Sequence, residues 1–332
     1  MIAHVIGWSA RNVLLVVLAT AFAALSGLYA VSRVPLDAIP DLSDVQVIVY
    51  TEFPGQAPQV VEDQVTYPLA TAMLSVPKSR VVRGFSFFGV SFVYVIFEDS
   101  TDLYWARSRV LEYLNSAAQK LPTGVTPTLG PDATGVGWVF QYVVRGVQKN
   151  LAELRSIQDW QIRLGIAKSE GVAEVASVGG FVKQYSVIID PRRLQALGIS
   201  IAKIREALSA SNMDVGGRTV ELAETEYAVR GRGYVKDIAD LEQIVLKSNQ
   251  GASVQLKDVA RIELAPDERR GITEMNGEGE VVSGIALQRF GENALSVIQN
   301  VKKRLAEISP SFPEGVTVEP VYDRSDFIYR AI

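Results

Sequence analysis

Few residues in this 332-residue chain can do acid–base or metal chemistry. It has one histidine, His4, and no cysteine. Imidazole metal clusters, thiolate zinc sites, disulfides and cysteine nucleophiles are thereby excluded. A histidine-based hydrolase goes with them, and no two carboxylates stand at a spacing that recommends paired acid–base work. Methionine and carboxylate ligands remain. Met73 falls late in an amphipathic helix and reads as core. Met213 lies in the polar stretch SASNMDVGG and reads as surface. Met275 alternates in an expected strand, Ile272–Met275, beside Arg270 and Glu274. Its thioether suits a soft cation, with strand packing as the competing reading. Asp37, Asp41 and Asp44 form a short acidic set, either a cation-collecting patch or capping, solvated groups. In EDSTD, at 98–102, Ser100 or Asp102 reads as the N-cap of the next helix. The glycines at 179–180 lack the lysine–serine of a phosphate loop. Those of GPDATGVG, 130–137, permit a hinge or close packing.

The elements that carry these residues begin with an uncharged run, Val13 to Val31, bounded by Arg11 and Arg33. At about 1.5 Å per residue it matches a hydrocarbon core of about 30 Å. It exceeds a signal-peptide core of about 7–15 residues, so a retained membrane helix is expected. Having no carboxylate, histidine or lysine inside it, this helix is not expected to relay protons. Flanking arginines at both ends leave its orientation nearly balanced. The remainder reads as a water-soluble body of two or three domains. A net charge of −4 without a basic patch excludes a nucleic-acid partner.

Alternation places Val45, Val47 and Val49 on one strand face. A helix over 57–75, strands over 80–87 and 90–98 and a helix over 102–120 follow. This strand–helix–strand–strand–helix order is the split-βαβ, ferredoxin-like one, lacking its last strand until later in the chain. A similar order recurs: strand 138–144, helix 151–168, strands 172–178 and 182–189, then strand 281–287, helix 294–308 and strand 316–321. An insertion from Pro191 to about Arg270 separates its halves, with a helix over 201–210, a hairpin over 219–230 and a strand pair over 244–246 and 253–256. The fold class is therefore α+β with a duplicated module, although similarity between the two copies is faint. YDRSDFIYRAI opens a further helix, capped by Asp323 or Ser325.

Long phrases of the chain resemble one family. They are DAIPDLSDVQV at 37–47, PGQAPQVVEDQVTYPL at 54–69, VRGFSFFGVSFVYVIFEDSTD at 82–102, YWARSRVLEYLN at 104–115, LGPDATGVGW at 129–138, RRGITEMNGEGEV at 269–281 and YDRSD at 322–326. The resemblance is to resistance-nodulation-cell-division (RND) transporters of the heavy-metal efflux branch, nearest in wording to the copper/silver type. It implies a first transmembrane helix at 1–33 and a first porter subdomain at 34–135. It implies a second porter subdomain at 136–180 and 271–322, interrupted by a docking-type insertion at 181–270. Residues 323–332 would begin a second transmembrane helix, cut short. Such pumps are inner-membrane homotrimers with large periplasmic domains. They exchange protons for metal cations and work with a periplasmic adaptor protein and an outer-membrane channel. On that template the metal is cargo, no cofactor is needed, the chain is no enzyme, and the proton-relay carboxylates lie outside it.

One departure bears on the cargo. Copper/silver-type members carry methionine before the Arg-Arg-Gly turn, where this chain has Glu268. Carboxylate oxygen suits harder divalent ions, which leaves zinc, cobalt, nickel or cadmium open. A surface ion pair of Glu268 with Arg269 or Arg270 is the simpler reading. Glu268 and Met275 are the candidate metal contacts. The alternatives to metal export are a drug- or solute-exporting relative, favoured by an aromatic-lined groove, and a membrane-anchored periplasmic assembly or binding module. The Phe and Tyr residues read as scattered along strands.

Overall fold

The computed structural model describes residues 2–33, 37, 39–222, 225–231, 233–249, 252–267 and 271–331. Two helices open the chain, α1 (Ile2–Arg11) and α2 (Val13–Arg33). The window Val13–Ala30 of α2 is long and apolar enough to cross a membrane, and none of it is buried against protein. The short α1 lies outside the expected run.

Two compact units follow from the contacts within the chain. One comprises Met1–Gln148, Ile157–Val178 and Val281–Ile332, the other Lys149–Ser156 and Gly179–Glu280. In the first unit, β1 (Gln46–Glu52) leads through α3 (Pro58–Val61), a π-helical turn (Glu62–Thr66) and α4 (Tyr67–Met73) to the hairpin β2 (Ser79–Phe87) and β3 (Val90–Phe97). Gly89, at φ 71°, supplies the left-handed residue at its tip. Helix α5 (Leu103–Ala118) starts at Asp102, whose side chain accepts the Trp105 N–H at 2.7 Å. Strand β4 (Pro127–Leu129) closes the sheet in the antiparallel order β2-β3-β1-β4. The last strand therefore follows α5 directly instead of coming later in the chain. Its three residues, with Pro127 at an edge, carry no period-2 signal. Val47 and Val49 of β1 face α3–α5 and pack with Leu69, Met73, Val93, Val110 and Leu114.

The second sheet repeats this plan. Strand β5 (Trp138–Gly146) leads through α6 (Leu151–Ile157), a π turn (Gln158–Ile162) and α7 (Arg163–Ile166) to β6 (Val172–Val178). The elements of the second unit come next: β7 (Lys183–Ile189), α8 (Pro191–Leu197), α9 (Ile201–Ala210), β8 (Val215–Leu222), β9 (Thr225–Gly231), α10 (Ile238–Glu242), β10 (Val245–Asn249), β11 (Ala252–Gln255) and β12 (Ala260–Pro266). Then β13 (Val282–Gln288), α11 (Ala294–Ile308) and β14 (Val316–Asp323) complete the order β14-β5-β13-β6, again antiparallel. In both sheets the second strand in sequence is an edge, followed by the third, the first and the fourth.

The π turns fall at matching places, and each sends one polar side chain down to its sheet. Thr66 accepts from Ser86 and donates to Ser91, both at 2.8 Å. Gln158 accepts from the Tyr142 hydroxyl at 3.1 Å and donates to Ser177 at 3.2 Å. This correspondence supplies the likeness between copies that their residues hide. Two strand expectations need correction. Residues 183–189 pair with β12 inside the second unit, not with β6. Residues 272–275 form no strand; a single bridge joins Glu274 to Glu280. The second unit has its own core, including Leu194, Ile204, Leu241, Leu256, Val259 and Ile262.

Candidate functional site

Met275 stands at the mouth of a tight turn. Asn276, Gly277 and Gly279 have φ of 56°, 74° and 115°, and the Met275 carbonyl accepts the Glu278 N–H at 3.0 Å. The Asn-Gly pair supplies the left-handed residues, and Met275 is half-buried beside it. Glu268, the other candidate, lies outside the described residues. Met73 is fully buried in the first core, and Met213 is half exposed, as their positions suggested. Among the described residues, no group of three or more His, Cys, Asp or Glu is placed to hold a metal ion.

The acidic set is dispersed into separate tethers. Asp44 pairs with Arg80 at 2.7 Å. Asp41 accepts the Thr134 hydroxyl at 2.6 Å and the Ser43 N–H at 3.0 Å. Burial pushes Asp41 up, but the Thr134 and Ser43 hydrogen bonds and the Arg324 charge outweigh it and hold the carboxyl below its ordinary range. Asp37 pairs with Arg324 at 3.0 Å. Arg324 is only 3% exposed. It also donates to the carbonyls of Val136 at 2.6 Å and Trp138 at 2.8 Å. Its backbone N–H reaches Val139 at 3.1 Å. The patch reading fails because each carboxylate already has a fixed donor.

The glycine-rich stretch 130–137 is fastened by Asp41 and Arg324 and by further groups along its length. Gly130 bonds Ile48 at 2.7 Å, and the Gly130 carbonyl accepts from Arg107 at 2.9 Å. The Asp132 carboxylate accepts from the Tyr104 hydroxyl at 2.9 Å and lies 3.8 Å from Arg289. That bond to Asp132, helped by burial, pushes the Tyr104 hydroxyl up. The stretch is a strap held at several points between the two sheets of the first unit.

Strand alternation gathers aromatic rings on the first sheet's outer face. Phe85 and Phe87 of β2 meet Tyr94 and Phe92 of β3, with centroids 5.4 and 5.9 Å apart, and Tyr50 of β1 joins Phe92 at 5.2 Å. Phe85, Phe87, Phe92 and Tyr94, together with Arg83, line an open groove of about 480 Å³. The rings are therefore clustered, against the expectation of scatter. The signal was present as aromatics at 85, 87, 92 and 94, two residues apart on each side of a hairpin.

The AcrB/AcrD/AcrF family profile matches residues 6–332. The chain belongs to the AcrB/AcrD/AcrF family. Among its relatives in that family, the cation efflux system protein CusA of Escherichia coli K12 is 54% identical over 335 residues, covering all of this chain and 32% of CusA. The cobalt-zinc-cadmium resistance protein CzcA of Cupriavidus metallidurans is 35% identical, again over the whole chain and 32% of the relative. Two crystal forms of a heavy metal efflux pump superpose with TM-scores of 0.83 and 0.84 at 33% identity, covering 94% of this chain and 31% of the pump. The chain thus spans about a third of the length of these family members.

Proposed function

We propose that this chain is the N-terminal part of a proton-driven exporter of heavy-metal cations in the bacterial inner membrane. The carrying observation is 54% identity, across the entire chain, to a cation efflux protein. In this reading α2 is the first membrane helix, and 323–332 begin the second. The two sheets are ferredoxin-like porter subdomains at 34–135 and at 136–180 with 271–322, facing the periplasm. Their common strand order and matched π turns support that reading. The insertion at 181–270 serves docking. The complete pump is a homotrimer working with a periplasmic adaptor and an outer-membrane channel, and the metal passes through as cargo. Proton coupling falls to carboxylates elsewhere, since α2 holds no carboxylate, histidine or lysine between Arg11 and Arg33.

The higher identity to CusA than to CzcA favours cargo other than cobalt, zinc and cadmium. Copper and silver are the first to test. Met275 is the residue this reading takes as a soft-cation contact, and Glu268 is the one a harder divalent cargo would use. The complete gene, expressed in a host lacking its own metal exporters, should raise tolerance to copper and silver above tolerance to zinc, cobalt and cadmium. No gain for any metal would refute the reading. The exposed aromatic groove favours one second reading, export of an organic solute. Aromatic cationic dyes belong in the same panel, and resistance to dyes alone would select it.

A further inference from the structure

The ten-residue helix α1 is absent from every function argued above. It meets α2 through one residue, Asn12. The Asn12 N–H is shared between the carbonyls of Trp8 at 3.0 Å and Ser9 at 3.2 Å. Its side-chain amide also donates to Trp8 at 2.9 Å. On the other side, the Asn12 carbonyl accepts from Val16 at 3.1 Å. A side chain entering the ladder beside a shared N–H marks a bend at which the helix can change direction without losing its bonds.

Length leaves α1 outside the hydrocarbon. A straight helix over 2–33 would be about 48 Å long, against about 30 Å of hydrocarbon. The 21 residues of α2 fill that thickness alone. Helix α1 therefore stands at headgroup level. Its pattern fits a helix lying along that level and not one projecting into water. At 3.6 residues per turn, Val5, Ile6 and Ser9 share one face, and His4, Gly7 and Arg11 the opposite one. Val5 and Ile6 are 61% and 63% exposed, so none of the described residues covers them. Trp8, between the two faces, is 53% exposed, and its ring is of the kind that settles at a membrane–water boundary.

We propose that α1 is an interfacial helix. It lies in the bilayer surface with Val5 and Ile6 turned into the acyl chains and Arg11 toward anionic headgroups. The occupant of its apolar face is lipid, because the helix is covalently continuous with α2 at the membrane boundary and carries its cation on the outer face. The inference rests on α2 being a membrane span.

The test is site-directed spin labelling of the full chain in vesicles of three parts phosphatidylethanolamine to one part phosphatidylglycerol. These 332 residues contain no cysteine, so each introduced thiol is unique among them. Labels go at His4, Val5, Ile6 and Arg11, with Leu18 and Phe22 of α2 as checks of the span. Collision with oxygen and with a water-soluble nickel chelate is measured at each. The expected result is periodic: Val5→Cys and Ile6→Cys favour oxygen at least threefold over nickel, and His4→Cys and Arg11→Cys the reverse. Nickel access at all four sites would place α1 in water and overturn the proposal. Oxygen preference at all four would make it a straight continuation of the span. Shielding of Val5 and Ile6 from both reagents would mean a protein cover, and would also overturn it. Nickel access at Leu18 and Phe22 would bring down the span reading itself, which separates that failure from the others.

Discussion

Arg324 and Asp37, 287 positions apart, form an ion pair at 3.0 Å that closes the first unit of the chain on itself. Asp37 lies just past α2, and Arg324 joins the last strand to α12 (Ser325–Ala331). The pair therefore fixes where the chain leaves α2 to where it enters α12. The guanidinium takes two further carbonyls from the strap at 136–138, so three separated segments converge on one buried cation.

Removing the carboxylate should cost far more than a surface ion pair would. Asp37→Asn removes the carboxylate paired with a nearly buried guanidinium and leaves only Asp41 to offset its charge, a loss of up to about 3–5 kcal/mol. Breaking the half-exposed Arg80–Asp44 pair should cost less than about 1 kcal/mol. Thermal unfolding of the two variants in detergent checks the difference. Equal shifts in melting temperature would remove Arg324 from its structural role.

Asp41 gives a pH-dependent prediction. Its carboxyl is held below the ordinary value of 3.8. A depressed folded pKa adds stability that is present above the unfolded value and is lost as pH falls through the folded one. Thr134→Val removes the hydroxyl donor and returns Asp41 toward its ordinary range. The variant should be less stable than the wild type at neutral pH, and the gap should close as pH drops below about 4. Asp323 behaves alike. Burial pushes it up, but Lys302 and Ser325 hold it down, so Lys302→Met should show the same closing gap. A gap independent of pH would assign both effects to packing.

The glycines discriminate between crowding and hinge motion. A methyl group on Gly284 would overlap the buried Tyr142 ring, so Gly284→Ala should destabilise by about 1–3 kcal/mol. One on Gly135 meets nothing within 4 Å, and one on Gly137 meets the Gln288 carbonyl at 3.1 Å. Gly135→Ala should change stability by less than about 0.5 kcal/mol and leave metal resistance intact, because the strap is fastened on either side. Loss of resistance in that variant, at unchanged stability, would restore the hinge.

The sequence was most readable where periodicity is long and local. Helix α11 falls on the expected residues 294–308, and the hairpin β2–β3 lies within one residue of its expected ends. Strand β4 was unreadable because three residues with a proline hold no alternation. The strand expected at 272–275 failed because the glycines of the Asn-Gly turn bend the chain there. The candidate site fared worse for a different reason. Asp37, Asp41 and Asp44 read as a cluster because they are near in sequence, whereas Arg324, Thr134 and Arg80, which occupy them, are distant. Periodicity cannot see a partner 287 residues away. The aromatic groove was within reach, since alternation along both strands of one hairpin places its rings on one face.

The most direct measurement is the cation retained by living cells. Cells preloaded with silver or copper and carrying the complete gene should lose the metal faster than cells carrying the empty vector, and the advantage should vanish when the proton gradient is collapsed. Retention identical to the vector control, in cells shown to hold the folded protein in their inner membrane, would contradict the export assignment.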